Sequence, residues 1–260
     1  MVRSERIVGI LELLAHKGRV DVSEIVTKFG VSEATARRDL DRLAEQQLLV
    51  RTHGGAVGQS VAYDLPLRYK NERQAPEKLK IAQAASELVR KGDVIGLCGG
   101  TTSTAVATVL SSRSDLSEPS PHPNLTVVTN AINIAYQLAM RPEIKTVVTG
   151  GVIHTRTYEL IGPYANSVLE NIRLDIAFIG VNAMDPIMGA TVIDEREAIV
   201  NSVMASRAIR AIAIADSSKI GRTAFATVGA GALKTLITDD GINEKQVQAF
   251  ENNGVTVIVA

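Results

Sequence analysis

Residues 94–104 read Val94-Ile95-Gly96-Leu97-Cys98-Gly99-Gly100-Thr101-Thr102-Ser103-Thr104. The apolar start predicts a buried strand, and glycines followed by hydroxyl side chains are typical of a turn that leads into a helix. Unpaired N–H groups at the start of a helix attract anions, and glycines let a phosphate approach the backbone closely. The stretch therefore predicts a strand–turn–helix unit that can bind a phosphate, although it is neither a Walker A loop nor a dinucleotide-binding fingerprint. A turn that is simply well capped fits the same residues.

Short apolar runs recur after this stretch and alternate with segments of helical periodicity. The runs are Val94–Cys98, Leu125–Thr129, Thr146–Thr149, Ile176–Ile179, Ala211–Ala215, Leu236–Thr238 and Val255–Val259. Helical segments fall at 103–110, 131–140, 195–208 and 243–252. Strands that are apolar throughout and alternate with helices predict a mostly parallel sheet with helices on both faces. The fold class predicted for this part of the chain is α/β.

Polar residues and glycines directly follow several of the predicted strands. Ligands of open parallel sheets bind at the carboxyl ends of the strands, so these residues are expected to meet in one crevice. We expect Lys219 to neutralise a ligand phosphate and Glu197 to accept hydrogen bonds from sugar hydroxyls or to favour its helix dipole. Each residue can also serve as a cap or turn residue. The candidate effector-binding residues are Gly99, Gly100, Thr101, Thr102, Ser103, Thr129, Asn130, Gly150, Gly151, Asn182, Asp185, Glu197 and Lys219.

The first 58 residues have a different pattern, in which three short helices precede a hairpin. Apolar periodicity predicts a helix at 4–16, a second helix from a capping box at Asp21 to Phe29, and a third from a Ser32 cap to about residue 46. Residues 48–57 are typical of two short strands joined by a glycine turn. This order predicts a winged helix-turn-helix, whose third helix enters the major groove of DNA.

The third helix and the wing carry side chains that suit DNA. Arginine can bind guanine or phosphate through two hydrogen bonds, and hydroxyl groups suit phosphates. Gly54 and Gly55 are expected to let the wing turn sharply against the phosphate chain. In the alternative interpretation, Arg37 and Arg38 pair with acidic neighbours on a solvated helix. The candidate DNA-binding residues are Ser32, Glu33, Thr35, Arg37, Arg38, Arg42, Arg51, His53 and Gly54.

Bulk composition limits the remaining classes of function. The formal net charge is zero, and residues 1–60 hold nine Lys/Arg against eight Asp/Glu, so local arrangement must support any DNA binding. No apolar run reaches the ~18–20 residues of a membrane helix. Cys98 is the single cysteine and the four histidines are scattered, so we expect no disulfide, no metal site and no cofactor. These features predict a cytoplasmic protein that does not bind membranes.

Two segments of the first 58 residues resemble the DNA-binding signature of the DeoR family of bacterial regulators, namely residues 31–40 (VSEATARRDL) and 51–56 (RTHGGA). Gly99–Thr102, Val128–Asn130, Thr149–Gly151, Asp175–Gly180 and Ala215–Lys219 resemble the sensor domain of that family. The resemblance departs at Cys98, where the family commonly has an acidic or amide residue, and at Ala36, where a larger aliphatic residue is common.

The resemblance implies a domain order and a mechanism. It implies a DNA-binding domain at 1–58, a linker at 59–76, and at 77–260 a sensor domain related to ribose-5-phosphate isomerase. Such a protein is a repressor of carbohydrate-use genes that a phosphorylated sugar releases from double-stranded operator DNA. Since such operators are usually near-palindromic, we expect a homo-oligomer, either a dimer or a tetramer. Tyr69-Lys70 and the segment 158–163 (YELIGP) also resemble the subgroup linked to amino-sugar use.

Two alternatives use the same fold. An isomerase needs a carboxylate base and groups that stabilise an enediolate. Ile179 and Asn182 stand where the related isomerases have two catalytic aspartates, and Met188-Gly189 stands where a lysine is expected. Glu197 does match the catalytic glutamate, so the segment fits a pocket that binds without turnover. A dimerisation scaffold that binds no ligand is the third hypothesis.

Overall fold

The computed structural model describes residues 3–46, 48–57, 74–229 and 231–260. The chain divides into two compact units, Met1–Arg73 and Gln74–Ala260. The predicted linker lies outside the described residues as far as Arg73, as do Tyr69 and Lys70. None of the helices in the described ranges has the length and apolar character needed to cross a membrane.

The first unit is a three-helix fold with a small antiparallel sheet, as predicted. Its elements are α1 (Arg3–Lys17), β1 (Arg19–Asp21), α2 (Val22–Phe29), α3 (Glu33–Glu45), β2 (Val50–Arg51) and β3 (Gly55–Val57), with strand order β1-β3-β2. Gly30 ends α2 in the left-handed conformation (φ 63°), and the Ser32 side chain caps α3. The predicted capping box at Asp21 is wrong, because the Asp21 carboxylate makes no cap and instead pairs with Arg19 at 3.1 Å.

The wing needs a glycine for a reason that differs from the predicted one. Neither Gly54 nor Gly55 has a positive φ, so the turn between β2 and β3 does not depend on left-handed backbone. A β-carbon at Gly55 would overlap the carbonyl oxygen of Val20 on the paired strand β1. Gly55 therefore allows the close approach of two strands, and the turn itself is formed by residues 52–54.

The second unit is an α/β fold built on a parallel sheet. Its elements are α4 (Ala75–Glu87), β4 (Val94–Leu97), α5 (Thr101–Ser111), β5 (Leu125–Thr129), α6 (Ile132–Leu138), β6 (Ile144–Val148), β7 (Val152–His154), β8 (Glu159–Ile161), α7 (Pro163–Leu169), β9 (Leu174–Gly180), β10 (Ala183–Asp185), β11 (Gly189–Val192), α8 (Glu195–Ser206), β12 (Ala208–Ile214), a 3-10 turn (Ser217–Lys219), β13 (Ala226–Thr227), β14 (Thr235–Thr238), α9 (Glu244–Asn252) and β15 (Thr256–Val259). Seven strands form one sheet in the order β15-β14-β12-β9-β4-β5-β6, and all of its pairings are parallel.

Helices cover both faces of this sheet, which confirms the predicted fold class. Side chains of α4, α5 and α6 share one apolar cluster with the strands, as Ile81, Leu110 and Ile134 illustrate. Side chains of α7, α8 and α9 share a second cluster, which includes Leu169 and Phe250. Each of the seven predicted apolar runs became a strand of the sheet. The antiparallel pair β7–β8 and the small sheet β10-β11-β13 were not predicted.

Candidate functional site

The carboxyl ends of five parallel strands lie side by side in the order β6, β5, β4, β9, β12. The register pairs Thr129 with Val148 and Leu97 with both Thr129 and Phe178, while Gly180 pairs with Ile214. The segments that follow these strands are therefore neighbours, as the sequence predicted. They carry Gly150 and Gly151, Asn130, the Gly99–Ser103 turn, Asn182 and Lys219.

The turn after β4 brings the backbone close to a carboxylate. Gly100 adopts φ 106°, a conformation that L side chains rarely adopt, and α5 begins at the next residue. A β-carbon at Gly99 would overlap Cγ and Oε1 of Glu159. A side chain at Gly100 would therefore be strained, and one at Gly99 would displace the Glu159 side chain, a neighbour of the turn that the sequence analysis missed.

The hydroxyl groups at the start of α5 have different environments. Ser103 Oγ donates to the carbonyl of Gly99 at 3.2 Å, and Thr104 Oγ1 donates to the carbonyl of Gly100 at 2.8 Å. Thr102 is 2% exposed, and its Oγ1 has no hydrogen-bond partner among the described residues. The Ser103 hydroxyl supports the turn itself, whereas the Thr102 hydroxyl is a buried polar group that no other described residue satisfies.

Asn130 has a similar unsatisfied group next to the same turn. Its side-chain nitrogen donates to Glu159 Oε2 at 3.3 Å and to the carbonyl of Leu160 at 3.4 Å. Its Oδ1 is buried and has no partner among the described residues. Thr129, by contrast, uses its Oγ1 to accept a hydrogen bond from the Ala131 N–H at 3.0 Å. A buried polar atom without a partner costs about 1–3 kcal/mol, so Thr102 Oγ1 and Asn130 Oδ1 each call for a partner beyond the described residues.

A buried polar cluster surrounds Glu197. The Thr157 hydroxyl donates to Glu197 Oε1 at 2.7 Å, and His154 Nδ1 lies 3.3 Å from the same oxygen. His154 Nε2 lies 3.5 Å from Asp194 Oδ2. The hydrogen bond from Arg196 holds the pKa of the Asp194 carboxyl below its usual range. Glu197 is therefore part of a network of charged and polar groups rather than an isolated base.

The β7–β8 hairpin supplies three residues of this region that the sequence analysis did not select: His154, Thr157 and Glu159. The available signal was weak: the Gly150-Gly151 and Gly162-Pro163 pairs bracket two short apolar pairs, Val152-Ile153 and Leu160-Ile161, that are separated by polar residues. Gly151 has φ 130°, and a β-carbon there would lie 2.8 Å from the carbonyl oxygen of Ile161. The hairpin turn also holds Tyr158 in the left-handed region at φ 60°.

Cys98, where the chain departs from the family pattern, is fully buried beneath the turn. The N–H of Gly180 donates to its sulfur at 2.9 Å, and the Ser103 hydroxyl lies 3.7 Å away. Burial raises the pKa of the thiol to about 12, and the charge of Glu159 adds to this shift. The side chain joins β4 to β9 as a protonated thiol.

Three other predicted residues take part in local structure. Lys219 Nζ donates to the carbonyl of Val181 at 2.7 Å, just beyond β9. Asn182 Oδ1 accepts a hydrogen bond from the Ile193 N–H at 3.0 Å. Asp185 lies at the turn between β10 and β11, where its carboxylate accepts the N–H groups of residues 187 and 188, both at 2.9 Å. Lys219 and Asn182 are close to the strand ends, whereas Asp185 serves its hairpin turn.

The start of α3 carries the candidate DNA-binding residues on exposed or half-buried positions. Ser32 Oγ accepts the Thr35 N–H at 3.3 Å, and Arg37 pairs with Glu33 at 3.3 Å. On the wing, Arg51 pairs with Asp41 of α3 at 2.7 Å. His53 and Gly54 are exposed at the wing turn.

The acidic residues of α3 do not neutralise Arg38. Asp39 is 2% exposed and accepts Arg6 Nε at 2.7 Å, with Arg3 at 3.6 Å. Because Asp39 holds α1, it is not available to the exposed arginines. Arg38 and Arg42 are exposed and form no ion pair with the described residues. Together with Thr35 they lie at helical spacing on one face.

Comparisons with known proteins match both units. A model of the DeoR-like helix-turn-helix domain matches residues 6–60, and a model of the DeoR C-terminal sensor domain matches residues 73–240. The glycerol-3-phosphate regulon repressor of Escherichia coli (strain K12) is 30% identical over 240 residues, which are 92% of each chain. The HTH-type transcriptional repressor GlcR of Bacillus subtilis (strain 168) is 33% identical over 265 residues, covering 100% of this chain and 97% of that protein. Ribose 5-phosphate isomerase A from Methanocaldococcus jannaschii aligns in structure with a TM-score of 0.40 and 22% identity, over 56% of this chain and 55% of its own.

Proposed function

The chain belongs to the DeoR family of transcriptional regulators, and we propose that it represses carbohydrate-use genes until a phosphorylated sugar releases it from its operator. Relatives named as repressors match it over nearly their whole length, so it is a DNA-binding regulator and not an enzyme. One of these relatives is named for a glycerol-3-phosphate regulon, which supports a phosphate ester as effector. Membership of the amino-sugar subgroup stays a prediction.

The DNA-binding role is assigned to the exposed face of α3 and to the wing. Arg38 and Arg42 supply cationic side chains that form no ion pair with the described residues, and Thr35 supplies a hydroxyl on the same face. We propose that Arg38 contacts a base edge or phosphate and that Arg51 and His53 support the contact from the wing. The remaining proposed contacts are Ser32, Glu33, Arg37, Arg42 and Gly54.

The effector role is assigned to the turn after β4. The observation that carries it is a pair of buried oxygens, Thr102 Oγ1 and Asn130 Oδ1, next to a glycine turn and a helix start; neither oxygen has a hydrogen-bond partner in the described part of the chain. A phosphate oxygen would accept the Thr102 hydroxyl and the N–H groups of the first turn of α5. A sugar hydroxyl would donate to Asn130 Oδ1. A phosphorylated sugar therefore supplies both missing partners.

We propose that the second unit forms a homo-oligomer that sets the spacing of two recognition helices on a near-palindromic operator. The sugar phosphate then shifts that spacing by its differential affinity for the two arrangements. In this division, residues 1–58 bind DNA, residues 59–76 link, and residues 77–260 sense. A protein with this role acts on the chromosome, so we expect it in the cytoplasm.

The test is operator binding in the presence of candidate effectors. Full-length protein is titrated on a labelled duplex from upstream of its own gene, without and with sugar phosphates. Arg38→Ala is expected to weaken binding about 5–150-fold, because one such base contact contributes about 1–3 kcal/mol. Arg90→Ala, at an exposed site of the second unit, is the matched control and should bind as wild type. Release of wild type by none of the phosphosugars would contradict the effector assignment.

A further inference from the structure

Helices α5 and α6 contain no charged residue. The chain has no Asp, Glu, Lys or Arg at 94–112 and none at 119–140, and these are its two longest uncharged stretches. They include the whole of both helices. Charged residues make up 22% of the chain, so their absence from the exposed positions of α6 is unusual, whereas α5 beside it is mostly buried and exposes only Thr108.

Large apolar side chains stand exposed along α6. Ile132, Tyr136 and Met140 follow one another at four-residue intervals, so the first two share a helix face and Met140 continues the row in the turn after α6. Tyr136 is 81% exposed and Met140 is 79% exposed. Protein interfaces are enriched in tyrosine and methionine and depleted of charge at their centre, and this row has the same composition.

Side-chain hydrogen bonds join the two helices into one surface. Asn133 Nδ2 donates to Thr104 Oγ1 at 2.8 Å, and Gln137 Nε2 donates to Thr108 Oγ1 at 2.9 Å. We call the exposed side of α5 and α6, together with Met140, the uncharged face. Because α6 leads to the edge strand β6, this face lies at the outer end of its helix layer.

We propose that the uncharged face is where two copies of this chain associate. A two-fold axis places the same surface of both copies against each other, so any charge near the axis meets its own like charge. A face with no charge avoids that repulsion, whereas DNA or a charged protein partner would call for complementary charges. This inference rests on the homo-oligomer of the proposed function and adds its location.

The same two helices also begin at the proposed effector site. Helix α5 starts at Thr101, directly after the Gly99-Gly100 turn, and α6 starts at Ile132, two residues after Asn130. A ligand that repositions the first turn of either helix therefore acts on a helix of the interface. The expected consequence is that an effector changes the dissociation constant of the oligomer as well as its affinity for DNA.

Sedimentation equilibrium of the full chain tests the proposal. Tyr136→Glu puts a charge at the centre of the face and is expected to raise the dissociation constant at least about tenfold, as loss of a central aromatic anchor does. Tyr164→Glu is the matched control, because Tyr164 is 71% exposed on α7, which covers the other face of the sheet. Wild type and Tyr164→Glu are expected to sediment alike as an oligomer.

If Tyr136→Glu does not fold, chemical crosslinking tests whether residue 136 lies at the interface between two copies. Cys98 is the single cysteine and is fully buried, so Tyr136→Cys introduces one accessible thiol. A short bismaleimide should give a covalent dimer with Tyr136→Cys and none with Tyr164→Cys. A monomeric wild type overturns both the interface and the proposed homo-oligomer. An oligomer that Tyr136→Glu leaves intact, or that fails to crosslink at residue 136, overturns only the interface.

Discussion

Thr102→Val is expected to have opposite effects on the free protein and on its complex. Thr102 Oγ1 is buried with no hydrogen-bond partner among the described residues. Leaving a buried hydroxyl unsatisfied costs about 1–3 kcal/mol, and valine fills nearly the same space without the polar atom. The variant should therefore be more stable by about 1 kcal/mol, which raises the melting temperature by roughly 2–4 °C in a unit of this size.

In the complex the same substitution removes a hydrogen bond to the phosphate. A hydrogen bond to a charged group contributes about 1.5–3 kcal/mol, so the dissociation constant of the sugar phosphate should rise about 10- to 150-fold. Thermal melts with ribose 5-phosphate, glucose 6-phosphate, glycerol 3-phosphate and inorganic phosphate identify a ligand that stabilises the wild type. Isothermal titration with that ligand then gives the ratio of dissociation constants.

Thr238→Val is the matched control for this prediction. Thr238 Oγ1, at the end of β14, is also buried without a partner among the described residues, but Thr238 has no part in the proposed site. This variant should gain similar stability and keep wild-type affinity. A lower melting temperature for Thr102→Val would mean that its hydroxyl stabilises the fold. Equal affinities of wild type and Thr102→Val would remove Thr102 from the binding site.

Three further predictions concern single residues. Burial raises the pKa of the Cys98 thiol to about 12, so a thiol reagent at pH 8 should react with it only after denaturation, and fast labelling of the native protein would contradict this expectation. Because the pKa in the folded state exceeds the ordinary value of 9.0, urea titrations should also show that the free energy of unfolding falls as the pH rises above 9.0. Asp39→Ala removes the partner of buried Arg6 and should lower the free energy of unfolding of the first unit by roughly 3–5 kcal/mol in calorimetry. Glu33→Ala, which removes an exposed ion pair with Arg37, should lower it by less than about 1 kcal/mol. Equal losses of stability in the two variants would contradict a stronger role for the buried pair. Gly55→Ala should distort the wing and weaken operator binding in anisotropy titrations, and an unchanged affinity would argue that the wing tolerates a β-carbon.

The elements of the fold could be predicted because their apolar patterns are local. Runs such as Leu125–Thr129 became strands with the predicted bounds, since a strand buried on both faces needs consecutive apolar residues. The β7–β8 hairpin was missed, because Val152 and Ile153 are exposed and its strands have only three residues each. Short exposed strands are specified by tertiary pairing, which a local pattern does not contain.

The candidate site was predictable at its glycines and less so at its side chains. Residues after parallel strands meet because the sheet requires it, so the proximity of Gly99 and Asn130 followed from their positions alone. Whether a hydroxyl bonds its own backbone or keeps no partner among the described residues depends on its rotamer, and this separates Ser103 from Thr102. Glu159 was missed because it reaches Gly99 across 60 residues of sequence, a contact that only the folded hairpin creates.

The proposed homo-oligomer also answers an energetic requirement of the proposed switch. Moving a regulator from 99:1 in favour of the DNA-bound arrangement to 1:99 needs about a 10⁴-fold preference of the effector for the released arrangement, or about 5.5 kcal/mol. A monomer with one site would need all of this from one sugar phosphate. Two identical sites that switch together need only about a 100-fold preference each, or about 2.7 kcal/mol. A hydrogen bond from Thr102 to a phosphate, made in one arrangement and lost in the other, contributes about 1.5–3 kcal/mol and so is of the required size. Helices α5 and α6, which begin at the effector site and carry the uncharged face, are the elements through which two such sites would act as one.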